Sequence, residues 1–464
     1  MSQLSPELYA RLRDHGQEHL LFGWDRLSIE AQVGFEAELA KIDFAALKRL
    51  HASRDTAPAA LPPRELIAPI PVRPRTVPAA VHAAGEESLR RGEVAVLLVA
   101  GGQGSRLGFD KPKGMFPVAP VTNASLFRIH CEKVLALSRR YACSVPLLVM
   151  TSLATHAETE AYFHAQGFFG LPREDVYFFQ QGTMPAVDIA TGRILLEAPG
   201  QLFLSPNGHG GTLTALAETG MLDELESRGI RHVFYFQVDN PLVKVCDPAF
   251  LGTHVTVGSA ASSKVVYKED PSEKVGVLAV IAGRCTIIEY SDMPAEMAEE
   301  READGRLRFR AGNPAIHLFD VGFLRRVTST GGLTYHIARK KVAYFDPDTE
   351  RVISPTSENA LKFELFIFDA LPLADRWVVV ETSRAEEFAP LKNATGADSP
   401  DSARQALMRL HADWLESAGI SVPRGTDGNP EHPVEISPLF ALDAKECRSK
   451  VSPQLLITGP TYLE

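Results

Sequence analysis

The stretch LLVAGGQGSRLGFDKPKGMFPV (97–118) sets an apolar run against five glycines and the cations Arg106, Lys111 and Lys113, all between positions 101 and 114. Gly101, Gly102 and Gly104 leave the main chain bare, so its N–H groups are able to converge on an anion. Arg106 is suited to gripping two phosphate oxygens at once, and Lys113, following the rigid Pro112, supplies a compact charge. This combination serves the holding of phosphate. Two familiar phosphate loops are excluded by spacing. Counted from Gly102 and Gly104, the third glycine of a dinucleotide fingerprint falls on Leu107, and the P-loop pattern fails because Gly108 is followed by Phe109 and Asp110.

The surrounding pattern indicates what must position such a loop. EVAVLLVA (93–100) is continuously apolar, as a strand covered on both faces of a parallel sheet requires. VPLLVMT (145–151), DVYFFQ (175–180) and HVFYFQVDN (232–240) are further strand candidates, and helical periodicity in SLFRIHCEKVLALSRR, TLTALAETG and MLDELESRG lies between several of them. The alternation predicts an α/β, doubly wound sheet, in which ligands bind beyond the carboxyl ends of the strands. From about 261 the strand candidates crowd together (SSKVVYK, VGVLAVIAGRCTIIEYS), which predicts an antiparallel addition. Residues 5 to about 50 are predicted helical, with Leu20, Leu21, Trp24, Leu27, Phe35, Leu39 and Ile42 as core positions. Pro58, Pro62, Pro63, Pro69, Pro71, Pro74 and Pro78 then make an extended connector.

At 464 residues the chain is long enough for two or three domains. Its net charge of −10 repels nucleic acid and anionic membrane, so an anionic ligand must be drawn by local cations. The five cysteines have no close pair, which disfavours zinc or a disulfide framework. The polar start and the lack of a long apolar run predict an intracellular, cytoplasmic protein with neither nucleic-acid nor membrane partners.

GGQGSRLGFDKPKGM resembles the signature loop of UTP-dependent sugar-1-phosphate uridylyltransferases, in particular the UDP-N-acetylhexosamine pyrophosphorylase family. GQEHLLFGWDRLS, VYFFQQGTMPA, QVDNPLVKVCDP, EKVGVLAV, IIEYSDMP, AGNPAIHLF, FELFIFDAL and EEFAPLKNATGADSPDSARQAL follow in that family's order. The resemblance implies a Rossmann-like mixed-sheet nucleotidyltransferase core over 86–383. It also implies an N-terminal helical region and connector over 1–85 and a small C-terminal domain over 384–464, otherwise read as short strands and turns near its end. The implied substrates are UTP and a hexose- or hexosamine-1-phosphate, the implied cofactor is Mg²⁺, and the implied assembly is a monomer or weak homo-oligomer.

By the same resemblance Arg106, Lys113 and Lys392 would be catalytic cations, and Asp239 a ligand of the metal. Gly101, Gly102, Gly104, Gln181, Gly208 and His209 would bind the nucleotide, with the Gln181 carboxamide on uracil and Gly208 letting backbone approach the base. Gly276, Glu289, Tyr290 and Asn313 would hydrogen-bond the sugar, with Phe366 and Phe368 as its apolar wall. His209 departs from the asparagine usual in the N-acetylhexosamine enzymes, while UDP-glucose enzymes carry G-H-G followed by aspartate, so GHGG (208–211) is intermediate between the two. The resemblance as a whole implies UDP-N-acetylglucosamine as the product, and His209 supports UDP-glucose or a range of UDP-sugars as the alternative. A non-catalytic sugar-nucleotide sensor is disfavoured because it has no need of all three cations.

Overall fold

The computed structural model describes residues 4–55 and 61–464; Met1–Gln3 of the polar start and Pro58 of the connector lie outside the described residues. Contacts group the chain into two compact units. Met1–Pro62, Gly182–Gly211 and Leu333–Ile367 make the first; Pro63–Gln181, Thr212–Gly332 and Phe368–Glu464 make the second. This grouping differs from the three consecutive segments expected above.

The second unit is built on an eleven-stranded sheet. Its strands are β1 (Ile67–Pro69), β2 (Val94–Val99), β3 (Leu147–Thr151), β4 (Val176–Gln180), β5 (His232–Gln237), β6 (Ala261–Tyr267), β7 (Val277–Ile281), β8 (Arg284–Ile288), β9 (Ala311–Gly312), β10 (His317–Asp320) and β11 (Trp377–Glu381). The order is β1-β7-β9-β6-β10-β5-β2-β3-β4, with β8 paired to β7 and β11 to β6. β5, β2, β3 and β4 form a parallel block. β10 joins it antiparallel to both β5 and β6, and β1, β7, β8 and β9 add further antiparallel pairs. The mixed α/β sheet is as expected. Proline in the connector proves compatible with β1 because that strand lies at the sheet's edge.

Four helices of this unit matter below: α1 (Ala79–Arg90), α2 (Leu126–Tyr141), α3 (Pro248–Val257) and α4 (Pro400–Ser417). α2 starts at Ser125, whose hydroxyl accepts the Arg128 N–H, and buries Phe127, His130, Val134 and Leu137. α4 starts at a reciprocal cap between Ser399 and Ser402. Its Ala412 and Leu415 pack with Val434, Ile436, Cys447 and Ile457 in a small core of their own. Ala444–Lys450, expected as strand and turn, is a helix because Asp443 caps it by accepting the Glu446 N–H.

In the first unit the expected continuous helical region is divided. Helices Pro6–Asp14, Ile29–Ala40 and Phe44–Ala52 are joined by 3₁₀ turns at Glu18–Leu21 and Trp24–Arg26, the second opening at Gly23 with φ 75°. Leu20, Phe35, Leu39 and Leu47 are buried against Val187, Ile194, Leu361 and Phe363. Val187, Leu361 and Phe363 lie on short strands, where His336–Lys340 pairs with Ala360–Glu364, which pairs with Val187–Asp188, and Ile194 makes an isolated bridge to Val187. The N-terminal apolar faces are thus covered by segments far downstream, which is why the unit is discontinuous. All five cysteines are free, and no helix among the described residues is long and apolar enough to cross a membrane.

α1 crosses α3 backbone to backbone. A Cβ on Gly252 would lie 1.8 Å from the Val81 carbonyl oxygen, and one on Gly85 2.0 Å from that of Pro248. Gly252→Val is therefore expected to force the helices apart and cost about 3 kcal/mol or more, read as a lowered midpoint in urea unfolding.

Candidate functional site

Beyond β2 the glycine loop closes on itself. The Gly104 N–H donates to the Lys111 carbonyl at 2.9 Å and the Lys113 N–H to that of Gly102 at 3.0 Å. Ser105–Leu107 forms one 3₁₀ turn, on which Arg106 is exposed with no hydrogen-bond or ion-pair partner among the described residues. The three glycines do different work. A Cβ on Gly101 would lie 2.7 Å from Gln181 Oε1, so this glycine admits the glutamine. One on Gly104 would lie 2.7 Å from the Phe109 oxygen and 3.1 Å from that of Lys111, so Gly104 allows the loop to close. Gly102 faces open space and is where bare backbone is presented outward.

Other chain segments meet the loop at the carboxyl ends of the parallel block. The Val238 N–H donates to the Val99 carbonyl at 3.0 Å, continuing the β5–β2 pairing. The next residue, Asp239, sets Oδ2 3.7 Å from Lys113 Nζ, with the two side chains only 13% and 18% exposed. Lys113 Nζ also donates to the Leu391 carbonyl at 3.3 Å, and the Leu391 N–H donates to the Asp239 carbonyl at 2.9 Å. Lys392 follows directly, with an exposed side chain and its N–H on the Asp398 carbonyl at 2.7 Å. Gln181 joins from β4, its N–H on the Thr151 carbonyl at 2.8 Å. The loop, Gln181, Lys113, Asp239 and Lys392 are thus brought together where an α/β sheet holds its ligands.

A second grouping lies beside β7. The Asn313 N–H donates to the Gly276 carbonyl at 2.9 Å, and Asn313 Oδ1 accepts from the Ala315 N–H at 2.9 Å. A Cβ on Gly276 would lie 2.8 Å from Glu289 Oε1. Tyr290, next along the chain, is 51% exposed.

Gly208, His209 and Phe366 belong to the first unit. Gly208 has φ 83°, and its Cβ position is 2.4 Å from the Leu365 oxygen, so the glycine is required by packing on that peptide. Its Cβ side does not face an opening for a base. His209 Nδ1 accepts the Ile367 N–H at 3.2 Å, which puts the ring proton on Nε2, and its ring lies 5.4 Å from that of Phe366. Burial, with the nearby His336 adding to it, lowers the His209 pKa to about 4. Phe366 also packs on His336 at 4.5 Å. Phe368 is buried in the 3₁₀ segment Ile367–Leu373 and is the first residue of its stretch of the second unit, so the two phenylalanines are assigned to different units.

Two residues at the site escape a reading of motifs. Ser152 donates its hydroxyl to the Gly101 carbonyl at 2.8 Å, and its only signal is its place just after an apolar strand. Asn240 is 3% exposed and bonds the main chain at Glu387 and Ala389. Its signal is its place in VDN, directly after Asp239.

A mixed α/β sheet with an anion-ready glycine loop and gathered cations defines the class: a nucleotidyltransferase. Residues 74–434 match the family described as UTP–glucose-1-phosphate uridylyltransferase. The chain is 40% identical over 351 residues to UDP-N-acetylglucosamine pyrophosphorylase of Saccharomyces cerevisiae, covering 74% of this chain and 73% of the yeast protein. It is 37% identical over 472 residues to UDP-N-acetylhexosamine pyrophosphorylase-like protein 1 of Homo sapiens, covering 94% and 92%. The fold matches the Trypanosoma brucei UDP-N-acetylglucosamine pyrophosphorylase, crystallised with an inhibitor, at a TM-score of 0.81, with 27% identity and 97% and 95% of the two chains covered. The chain therefore belongs to the UTP–glucose-1-phosphate uridylyltransferase family, among its UDP-N-acetylhexosamine pyrophosphorylases.

Two outcomes are expected from this geometry. His209 stays neutral near pH 7, and because its folded pKa of about 4 lies below the ~6.5 of an unfolded histidine, its contribution to stability is whole above ~6.5 and lost as pH falls toward 4. Its ring NMR signal should not titrate between pH 5.5 and 8; a midpoint near 6.5 would contradict the buried setting. Gly102→Val should melt within a few degrees of the parent while weakening nucleotide binding at least ~10-fold, whereas Gly104→Val should distort the loop itself and lower the melting temperature.

Proposed function

We propose that the protein transfers a uridylyl group from UTP to N-acetylglucosamine-1-phosphate, forming UDP-N-acetylglucosamine and pyrophosphate. The observation that carries this reading is the meeting of Lys113, Asp239 and the Leu391–Lys392 peptide beside the glycine loop.

The reaction asks for no enzyme nucleophile. A sugar-1-phosphate oxygen, already anionic near neutral pH, attacks the α-phosphorus of UTP. A new P–O bond forms as the bond from that phosphorus to the bridging oxygen breaks, and pyrophosphate leaves with the electron pair. The difficulty lies in lining up two anions and stabilising the departing charge. Gly102 offers bare backbone to the triphosphate, and Arg106 and Lys113 grip its oxygens. Lys392 neutralises the sugar phosphate as it approaches, and Gln181 meets the uracil edge with its carboxamide. Gly276, Glu289 and Asn313 are assigned to the sugar's hydroxyl and amide groups, with Tyr290 at their edge.

Asp239 fits a divalent cation of the Mg²⁺ kind. It is a hard, mostly shielded carboxylate at a strand end, and no group of three or more His, Cys, Asp or Glu able to form a stand-alone metal centre occurs among the described residues. That donor set suits an ion taking its remaining ligands from water and phosphate. When bound, such an ion offsets negative charge on the phosphates.

The test is pyrophosphate release from UTP and Mg²⁺, with N-acetylglucosamine-1-phosphate and glucose-1-phosphate assayed in parallel. The N-acetylated substrate is expected to be turned over faster. A strong preference for glucose-1-phosphate would retain the chemistry and change the product. Lys392→Ala should lower kcat by ~100- to 1,000-fold, as expected for loss of one electrostatic contact to the transition state. Its melting temperature should hardly move, because the side chain is exposed.

A further inference from the structure

Between the helical turn Arg384–Glu387 and α4, residues 388–399 belong to no helix or strand, so no ladder fixes the place of Lys392. The chain there is held by isolated main-chain bonds, Leu391 to Asp239 and Lys392 to Asp398, and by a few side-chain ties. Asn240 Nδ2 donates to the Glu387 carbonyl at 2.7 Å, while its Oδ1 accepts the Ala389 N–H at 3.1 Å and the Leu242 N–H at 3.3 Å. One amide thereby joins the turn bearing Asp239 to the segment bearing Lys392. Behind it, the Glu387 carboxylate accepts from Lys264 Nζ at 2.6 Å and the Thr382 hydroxyl at 2.6 Å, and Lys264 also donates to Asp247 at 2.8 Å. The Lys264 and Glu387 side chains are only 2% and 3% exposed.

Stability is a weak reason for such a cluster, since apolar residues of similar shape often serve a core equally well. What charged and amide groups add is directionality: each bond has one length and one orientation, and together they admit one register of an otherwise irregular segment. We infer that Asn240, backed by Glu387 and Lys264, is a positioning residue for Lys392, setting that lysine's place relative to Asp239 and Lys113. The inference rests on the catalytic role proposed above for Lys392.

A double-mutant cycle on pyrophosphate release tests it, with the parent, Asn240→Ala, Lys392→Ala and the double variant assayed at saturating substrates. Asn240→Ala should lower kcat ~10- to 100-fold with the KM for UTP within ~3-fold of the parent, and should lower kcat by less than ~3-fold further when Lys392 is already alanine. Unchanged kcat in Asn240→Ala, or losses that multiply in the double variant, would overturn the inference while leaving the role of Lys392 intact. An undiminished kcat in Lys392→Ala would remove that role and this inference together. Should melting curves show that Asn240→Ala does not fold, Glu387→Gln, which keeps the side-chain volume and removes its charge, is put through the same cycle with the same expected pattern.

Discussion

The register of β5 against β2 is the constraint on which the site depends. Val99 lies opposite Gln237, and the Val238 N–H extends the pairing by one more bond. A slip of one residue would move Asp239 by about 3.3 Å and turn its side chain to the other face of the sheet. The ion pair with Lys113 would be lost, and the Leu391 peptide would lose its partner at Asp239. Register is held by burial: Val233, Phe234, Tyr235 and Phe236 are each 0% exposed, so any slip would exchange every one of these positions. A strand that looks like plain core is thus what sets the distance between a glycine loop and a carboxylate.

Electrostatics within the site follow from which charges are already matched. The chain carries a net charge of −10, and many of its arginines are tied to neighbouring carboxylates, as Arg140, Arg228, Arg325 and Arg424 are. Lys113 is likewise partly balanced, by Asp239. Arg106 and Lys392 are exposed and carry no side-chain partner among the described residues. Unmatched cations on an anionic protein form a local attraction that bound phosphate satisfies without first breaking an internal ion pair.

Much of this was legible in the sequence, for identifiable reasons. The long apolar runs declared β2, β3 and β5 because full burial on two faces leaves no polar alternation to confuse. The glycine loop stood out by residue type, whereas Asp239 and Lys392 were singled out only by the resemblance of the motifs around them. What the sequence could not separate was the separate purposes of neighbouring glycines: Gly101, Gly102 and Gly104 differ only in what surrounds them, and that depends on Gln181, far away in the chain, and on how the loop folds back at Phe109. Gly208 is similar, because its constraint comes from the Leu365 peptide. The make-up of the first unit was also hidden. Strands of two or three residues, such as Val187–Asp188 and Leu196–Ala198, are too short to show a period of two. The helix at Ala444–Lys450 is only seven residues long and rests on its Asp443 cap more than on any apolar stripe.

The discontinuity of the first unit has a temporal side. Its N-terminal helices emerge from the ribosome early, yet Leu361 and Phe363, which help to cover their apolar face, are made roughly 300 residues after Pro62. At about 5–20 residues per second, that is an interval of roughly 15–60 s in which Leu20, Phe35 and Leu39 have neither of these two partners. The second unit is interrupted twice by segments of the first, and it draws on residues up to the end of the chain for its small C-terminal core. Neither unit is therefore completed before the other has begun. The helices from Pro6 to Ala52 are thus made well before part of the core that covers them is present.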